Sequence, residues 1–141
     1  MKEQKTLTAL TVFDIAEEGK GVARAEDLVV FIEKAIPGDV VDATIYKKKK
    51  NFAEAIIEQL HTKSELRTDP FCPHFGTCGG CKWQNMNYDK QLFYKNQEVF
   101  NNLKRIGKIE LPTFEPILGS EKQFFYRNKM EFGFSDTRWM T

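Results

Sequence analysis

Three cysteines fall within ten residues, in Cys72-Pro73-His74-Phe75-Gly76-Thr77-Cys78-Gly79-Gly80-Cys81, and the chain has no others. A loop this short and this rich in glycine is poorly suited to burying three separate thiols. It can bend sharply and turn backbone N–H groups towards sulfur, which favours thiolates and a negatively charged cluster. The segment is therefore expected to bring Cys72, Cys78 and Cys81 to one metal centre. Three readings of the thiols stand. One is a [4Fe-4S] cluster completed by a fourth cysteine beyond residue 141. Another is zinc held by the three cysteines and His74, although the single residue between Cys72 and His74 is tighter than the usual chelate spacing. The third is three ordinary buried thiols. A radical S-adenosylmethionine cluster has a shorter first gap than the five residues found here.

The rest of the 141-residue chain has the balance of a folded, water-soluble protein, with 41% apolar and 29% charged residues and 12 Phe. No apolar run approaches the roughly 20 residues that span a bilayer, and the first twenty residues lack the basic-then-apolar order of a signal peptide. A cytoplasmic location with no membrane partner is expected, and there clustered cysteines point to a metal rather than to disulfides. Residues 1–66 carry 10 Lys+Arg against 12 Asp+Glu, and residues 67–141 carry 11 against 8. Neither half is strongly basic, so a nucleic-acid role has to rest on local patches and motifs.

Residues 6–61 read as short β segments, Leu7 to Ile15, Gly21 to Arg24, Leu28 to Ile32, Val40 to Tyr46 and Phe52 to Leu60, rich in β-branched and aromatic side chains. Breaks fall at Glu18-Gly19-Lys20-Gly21, at Pro37-Gly38-Asp39 and at the lysine run. Five strands in about 60 residues suit a small OB-like barrel. Thr62 to Pro70 turns polar and reads as a linker, with a boundary near residue 65. Beyond the cysteines, Tyr88, Leu92, Val99, Leu103 and Ile106 recur at helical spacing. The helix is expected over 88–106, capped by Asn87 and closed by Gly107 in a left-handed conformation. A strand is expected over about 124–134, where the residues from Tyr126 onward alternate as a half-buried strand would. The fold expected is mainly β, then α+β: a barrel over 1–65 and an incomplete cluster-binding domain over 66–141.

Taken together, these residues resemble the RumA-type tRNA/rRNA uracil-C5 methyltransferases along the whole chain. The resemblance begins with a TRAM-like start, Gly19-Lys20-Gly21-Val22-Ala23-Arg24 and Ala35-Ile36-Pro37-Gly38-Asp39-Val40-Val41. It runs through Arg67, Asp69-Pro70 and the cysteine block with Lys82-Trp83-Gln84, then Tyr88, Gln91-Leu92 and Lys95, and ends in Phe125-Tyr126-Arg127-Asn128-Lys129-Met130. It implies an enzyme whose front binds and shapes rRNA or tRNA while a C-terminal Rossmann-like domain transfers a methyl group from S-adenosylmethionine to uracil C5, using a cysteine nucleophile and a carboxylate base. It also implies a [4Fe-4S] cluster on Cys72, Cys78 and Cys81 whose fourth cysteine lies further along. No Gly-rich cofactor loop follows a strand in this chain, and its cysteines match the cluster rather than the nucleophile. The segment is expected to be a monomer that binds RNA without catalysing, S-adenosylmethionine belonging to the full-length enzyme.

The residues expected to meet RNA are the run Lys47-Lys48-Lys49-Lys50, Lys20 and Arg24 beside the glycine-rich turn, and Arg127 and Lys129 on the final predicted strand. Trp83, Phe75 and Phe124 are candidate surfaces for unstacked bases. A bland reading attends each: a lysine run can be a solvated hairpin tip, and aromatics are commonly core. From another class of function, the chain could also be a free-standing OB-type RNA-binding protein with a zinc staple, or a redox protein using its cluster for electron transfer.

Overall fold

The structure, a computed structural model, describes residues 5–126 together with Asn128, Lys129, Glu131, Phe134 and Asp136. Six strands form one curled sheet: β1 (Thr6–Thr11), β2 (Asp14–Ala16), β3 (Lys20–Ala25), β4 (Leu28–Glu33), β5 (Val40–Lys48) and β6 (Phe52–Thr62). Their spatial order is β1-β5-β6-β4-β3-β2, antiparallel throughout except for the β4–β6 pair. The two outermost strands, β1 and β2, are consecutive in the chain, so the sheet curls back on itself through the link Val12-Phe13.

That link is where the expected first strand, Leu7 to Ile15, breaks into two. Ala9 adopts φ 52° and its N–H donates to Asp42 Oδ1 at 2.7 Å, marking a register shift between Leu7 and Leu10. Val12 N–H then donates to the Asp39 carbonyl and Phe13 N–H to the Val22 carbonyl, both at 2.9 Å. The segment thus leaves β5 on one side and joins β3 on the other. Counted as one bent strand, β1 and β2 give the five-stranded pattern that the sequence predicts, and β5 and β6 simply run two residues further than expected.

The interior is narrow, and the sequence fills it with small side chains. Ala23, Ala35, Ala43, Ala53 and Ala55 are fully buried among Val12, Val30, Ile32 and Val41. Strand alternation puts these residues inside and Lys20, Val22 and Arg24, Val29 and Phe31, and Phe52 and Glu54 outside. A bulky residue at Ala53 or Ala55 would overpack a fully buried site.

Asp39 joins the barrel to the segment after β6. Its carboxylate is fully buried and accepts from Ile36 N–H (2.8 Å), Ser64 N–H (3.0 Å), and Arg67 Nε (2.9 Å) and Nη2 (2.7 Å). Ser64 Oγ donates to the Pro37 carbonyl at 2.6 Å, and Arg67 Nη2 and Asn85 Nδ2 each donate to the Lys34 carbonyl at 2.9 Å. The polar stretch after β6 is therefore folded back on the β4–β5 turn. A second, smaller core of Ile15, Ile36 and Met86, with Leu66, Trp83 and Tyr94 packed against it, continues the contact.

The helix begins as expected but ends differently. α1 covers Tyr88–Asn101 and runs into a wider π-type turn, Asn102–Ile106. Asn87 makes no side-chain cap; its carbonyl instead receives the Lys90 and Gln91 N–H groups. Gly107 stays right-handed at φ −69°, and Lys108 is the left-handed residue. Gly107 is needed for closeness, since a Cβ there would lie 2.7 Å from the Leu103 carbonyl oxygen. Among the described residues of 124–134 none is in a strand; Arg127, Met130, Phe132 and Gly133 lie outside the described residues.

Asp39→Ala leaves Arg67 half-buried without its counter-ion and strands two buried N–H groups, so it should cost about 3–5 kcal/mol in denaturant unfolding. A loss below about 1 kcal/mol, the range of an exposed ion pair, would contradict the role given to this carboxylate.

Candidate nucleic-acid interface

On the outer face of the barrel, Arg24, Val29 and Phe52 are register partners across β3, β4 and β6, and Val22, Phe31 and Glu54 form the next row. Phe31 and Phe52 stand edge to face with centroids 5.8 Å apart, both half-buried. The β5–β6 hairpin closes beside them through Lys49 N–H to the Phe52 carbonyl at 2.8 Å, and Lys49 Nζ lies 5.8 Å from the Phe52 ring. Arg24, Lys48 and Lys50 are exposed and carry no ion pair among the described residues. The result is an aromatic pair bordered by exposed cations. Neither phenylalanine stands out in the sequence, although Phe52 before inward-facing Ala53 and Ala55 fixes its outward direction.

Lys20 and Lys47 belong to the same face but are not free. Both reach Glu54, at 3.5 Å and 2.6 Å, and Lys20 also reaches Glu18 at 3.4 Å. Burial alone would lower the Lys20 pKa, but Glu54 and Glu18 raise it above its ordinary value. The Lys47 hydrogen bond, aided by Tyr46 and Lys20 against burial, holds the Glu54 carboxyl below the ordinary range. Tyr46 hydroxyl donates to Glu33 (2.7 Å) and Glu54 (3.1 Å), and burial followed by these carboxylates pushes the phenol up. Because the Glu54 pKa is lowered on folding, these contacts hold above the ordinary carboxylate range and are lost as pH falls through the lowered value.

The cysteine loop lies against the other side of the β2–β3 turn. Lys34 Nζ donates to the Gly76 carbonyl at 2.7 Å, and a Cβ on Gly19 would sit 2.8 Å from the Lys82 carbonyl oxygen. A cavity of about 250 Å³ separates turn and loop, lined by Glu18, Lys20, Lys34, Phe75 and Cys81 among others. Cys72 is half-buried, and its backbone N–H donates to Gln84 Oε1 at 3.1 Å; Cys78 and Cys81 are exposed. Gly79 is left-handed at φ +69° with open space around it, and Gly80 N–H points at Cys78 Sγ, 3.4 Å away. Donor type and backbone thus suit an iron-sulfur group. The positions do not converge as the sequence leads one to expect: among the described residues no three His, Cys, Asp or Glu side chains form a metal-holding group.

The other sequence candidates are dispersed. Trp83 is partly buried in the smaller core, with Lys95 Nζ 5.4 Å from its ring. Phe124 packs on Phe71 at 4.9 Å. Lys129 lies 3.1 Å from Glu131, both exposed. Arg127 lies outside the described residues.

A TRAM-domain family profile matches residues 5–57. Over 127 residues the chain is 54% identical to a protein of Bacteroides thetaiotaomicron named as an uncharacterized RNA methyltransferase, covering 90% of this chain and 28% of that one. A protein of the same name in Porphyromonas gingivalis is 45% identical over 131 residues, covering 93% and 28%. One in Nitratidesulfovibrio vulgaris is 44% identical over 126 residues, covering 89% and 27%. The chain spans a little over a quarter of the length of these relatives.

Glu54→Gln removes the charge that holds Lys20 and Lys47. The variant should elute from a heparin column at higher salt than the native chain, and unchanged elution would mean that the two lysines are not restrained by Glu54.

Proposed function

From the TRAM-domain match over residues 5–57 and the likeness to proteins named RNA methyltransferases, we propose that the chain is the RNA-holding part of an S-adenosylmethionine-dependent uracil-C5 methyltransferase acting on rRNA or tRNA. The observation that carries the reading is the outer barrel face, where Phe31 and Phe52 are bordered by Arg24 and by the exposed lysines of the β5–β6 hairpin. In OB-type barrels this face and this hairpin are the surfaces that engage oligonucleotides. Lysines there neutralise phosphates and release counterions, while the exposed part of an aromatic ring supports a base. The methyl donor, the nucleophile and the base belong to the remaining length of the enzyme, and this segment binds without transferring a methyl group.

We further infer that Cys72, Cys78 and Cys81 supply three ligands of a [4Fe-4S] cluster, with the fourth coming from elsewhere in the longer protein. The glycine pair lets the loop close around the group, and the Gly80 N–H directed at Cys78 Sγ would stabilise negative charge on it. The cluster would brace the loop against the barrel. Anaerobic reconstitution with iron and sulfide should give broad visible absorption that Cys81→Ser abolishes. A colourless protein that takes up zinc instead would overturn the assignment.

Replacing Lys48, Lys49 and Lys50 with serine should weaken binding of structured and unstructured RNA alike. It should also flatten the logarithmic dependence of affinity on salt by about 0.7 to 0.9 for each phosphate no longer engaged. An unchanged slope would leave the hairpin as a solvated tip and remove the barrel face from the binding surface.

A further inference from the structure

A second concave surface lies away from the barrel face, between the Cys81-Lys82-Trp83 segment, the start of α1 and the chain around 120–126, and it encloses about 1070 Å³. We propose that this groove takes an unpaired nucleobase of the RNA strand, a contact that rests on the RNA-binding reading above but uses none of the barrel residues.

Three features of the lining carry the inference. First, aromatic residues line it. Phe71, Phe124 and Phe125 form an exposed group in which Phe71 meets Phe124 at 4.9 Å and Phe125 edge-on at 5.3 Å. Phe124 and Phe125 are 49% and 90% exposed, far more than packing in a core requires. Second, the charge is mainly positive. Lys82, Lys95 and Lys122 line the groove against a single carboxylate, Asp69, which suits the phosphates on either side of an inserted base.

Third, two amides present complementary hydrogen-bonding groups. Gln84 uses its Oε1 to accept from Cys72 N–H at 3.1 Å, and Gln91 uses its Nε2 to donate to the Met86 carbonyl at 2.8 Å. The Nε2 of Gln84 and the Oε1 of Gln91 have no partner among the described residues, and both residues line the groove. One donor and one acceptor can read the edge of a base, which presents both. Apolar protein segments would gain from the rings but would leave these amides and lysines unmatched. A base with its flanking phosphates matches all three features.

The test compares the 141-residue chain with its Phe124→Ala/Phe125→Ala variant. The probes are a single-stranded RNA oligonucleotide and the same oligonucleotide with abasic sites in place of its bases. The native chain should prefer the base-bearing strand by about 5-fold to 100-fold, the range of stacking on protein aromatics. The variant should lose most of that preference while holding the abasic strand as tightly as before and with the same salt slope. The Phe52→Ala variant, altered on the barrel face, should retain the part of the preference that belongs to the groove. A preference that survives in the Phe124→Ala/Phe125→Ala variant but vanishes in Phe52→Ala would move base contact wholly to the barrel and overturn the proposal, leaving the RNA-binding function intact. Equal binding of all four pairings of the native chain and the Phe124→Ala/Phe125→Ala variant with the two probes would mean that something other than a base fills the groove. No binding of either probe by any variant would remove both readings together.

Discussion

The Asp39 carboxylate accepts four hydrogen bonds from three residues in two separate stretches of chain, and the rest of the architecture is arranged around that convergence. A fully buried carboxylate is tolerable only when its charge is matched and its lone pairs are occupied. Ile36 closes the β4–β5 turn on it, Ser64 fixes where the chain leaves β6, and Arg67 brings the opposite charge from the start of the cysteine segment. The Asp39 backbone takes part as well, since its carbonyl receives the Val12 N–H at the break between β1 and β2. One residue thus sets the curl of the sheet and the direction in which the chain departs from it.

That direction determines where the two candidate RNA surfaces lie. Because Arg67 is drawn to Asp39 and Asn85 to the Lys34 carbonyl, Trp83 and Met86 are carried onto Ile15 and Ile36, and the cysteine loop comes to rest beside the β2–β3 turn. The barrel face and the groove at α1 are then borne on connected elements rather than on units joined by a loose tether. Their chemistry differs. The barrel face offers restrained and unrestrained cations around two rings, whereas the groove offers rings, amides and three lysines.

Much of the barrel is legible in the sequence because its signals are local. Leu28 to Ile32 and Val40 to Tyr46 alternate and are β-branched, and the turns between them carry glycine, proline or aspartate, so strand positions follow from short stretches of text. The break at Val12-Phe13 is not legible, since it depends on Ala9 meeting Asp42 and on Val12 meeting Asp39, contacts across 27 to 33 residues. Pro37-Gly38-Asp39 reads as a turn, which it is, while the purpose of its aspartate lies 25 to 28 residues downstream. Of the candidate site, the lysine run and the cysteines are visible by composition. The pairing of Lys47 and Lys20 with Glu54 is not, because it requires knowing that β4 runs parallel to β6 and that β5 lies beside it. The end of α1 is hidden for a related reason. Gly107 looks like a left-handed closing residue, but the π-type turn shifts that conformation on to Lys108 and leaves the glycine for close approach.

The hydrogen bonds at Asp39 tie the barrel and the cysteine segment into a single cooperative body. Backbone hydrogen exchange measures it most directly. The N–H groups of Ser64, Thr68 and Met86, bonded to Asp39, Asn85 and Trp83, should open with the same free energy as those of Ala43 and Ala55 in the barrel interior. Exchange of the first group at a markedly lower free energy, with the barrel still closed, would mean that the cysteine segment opens independently of the barrel.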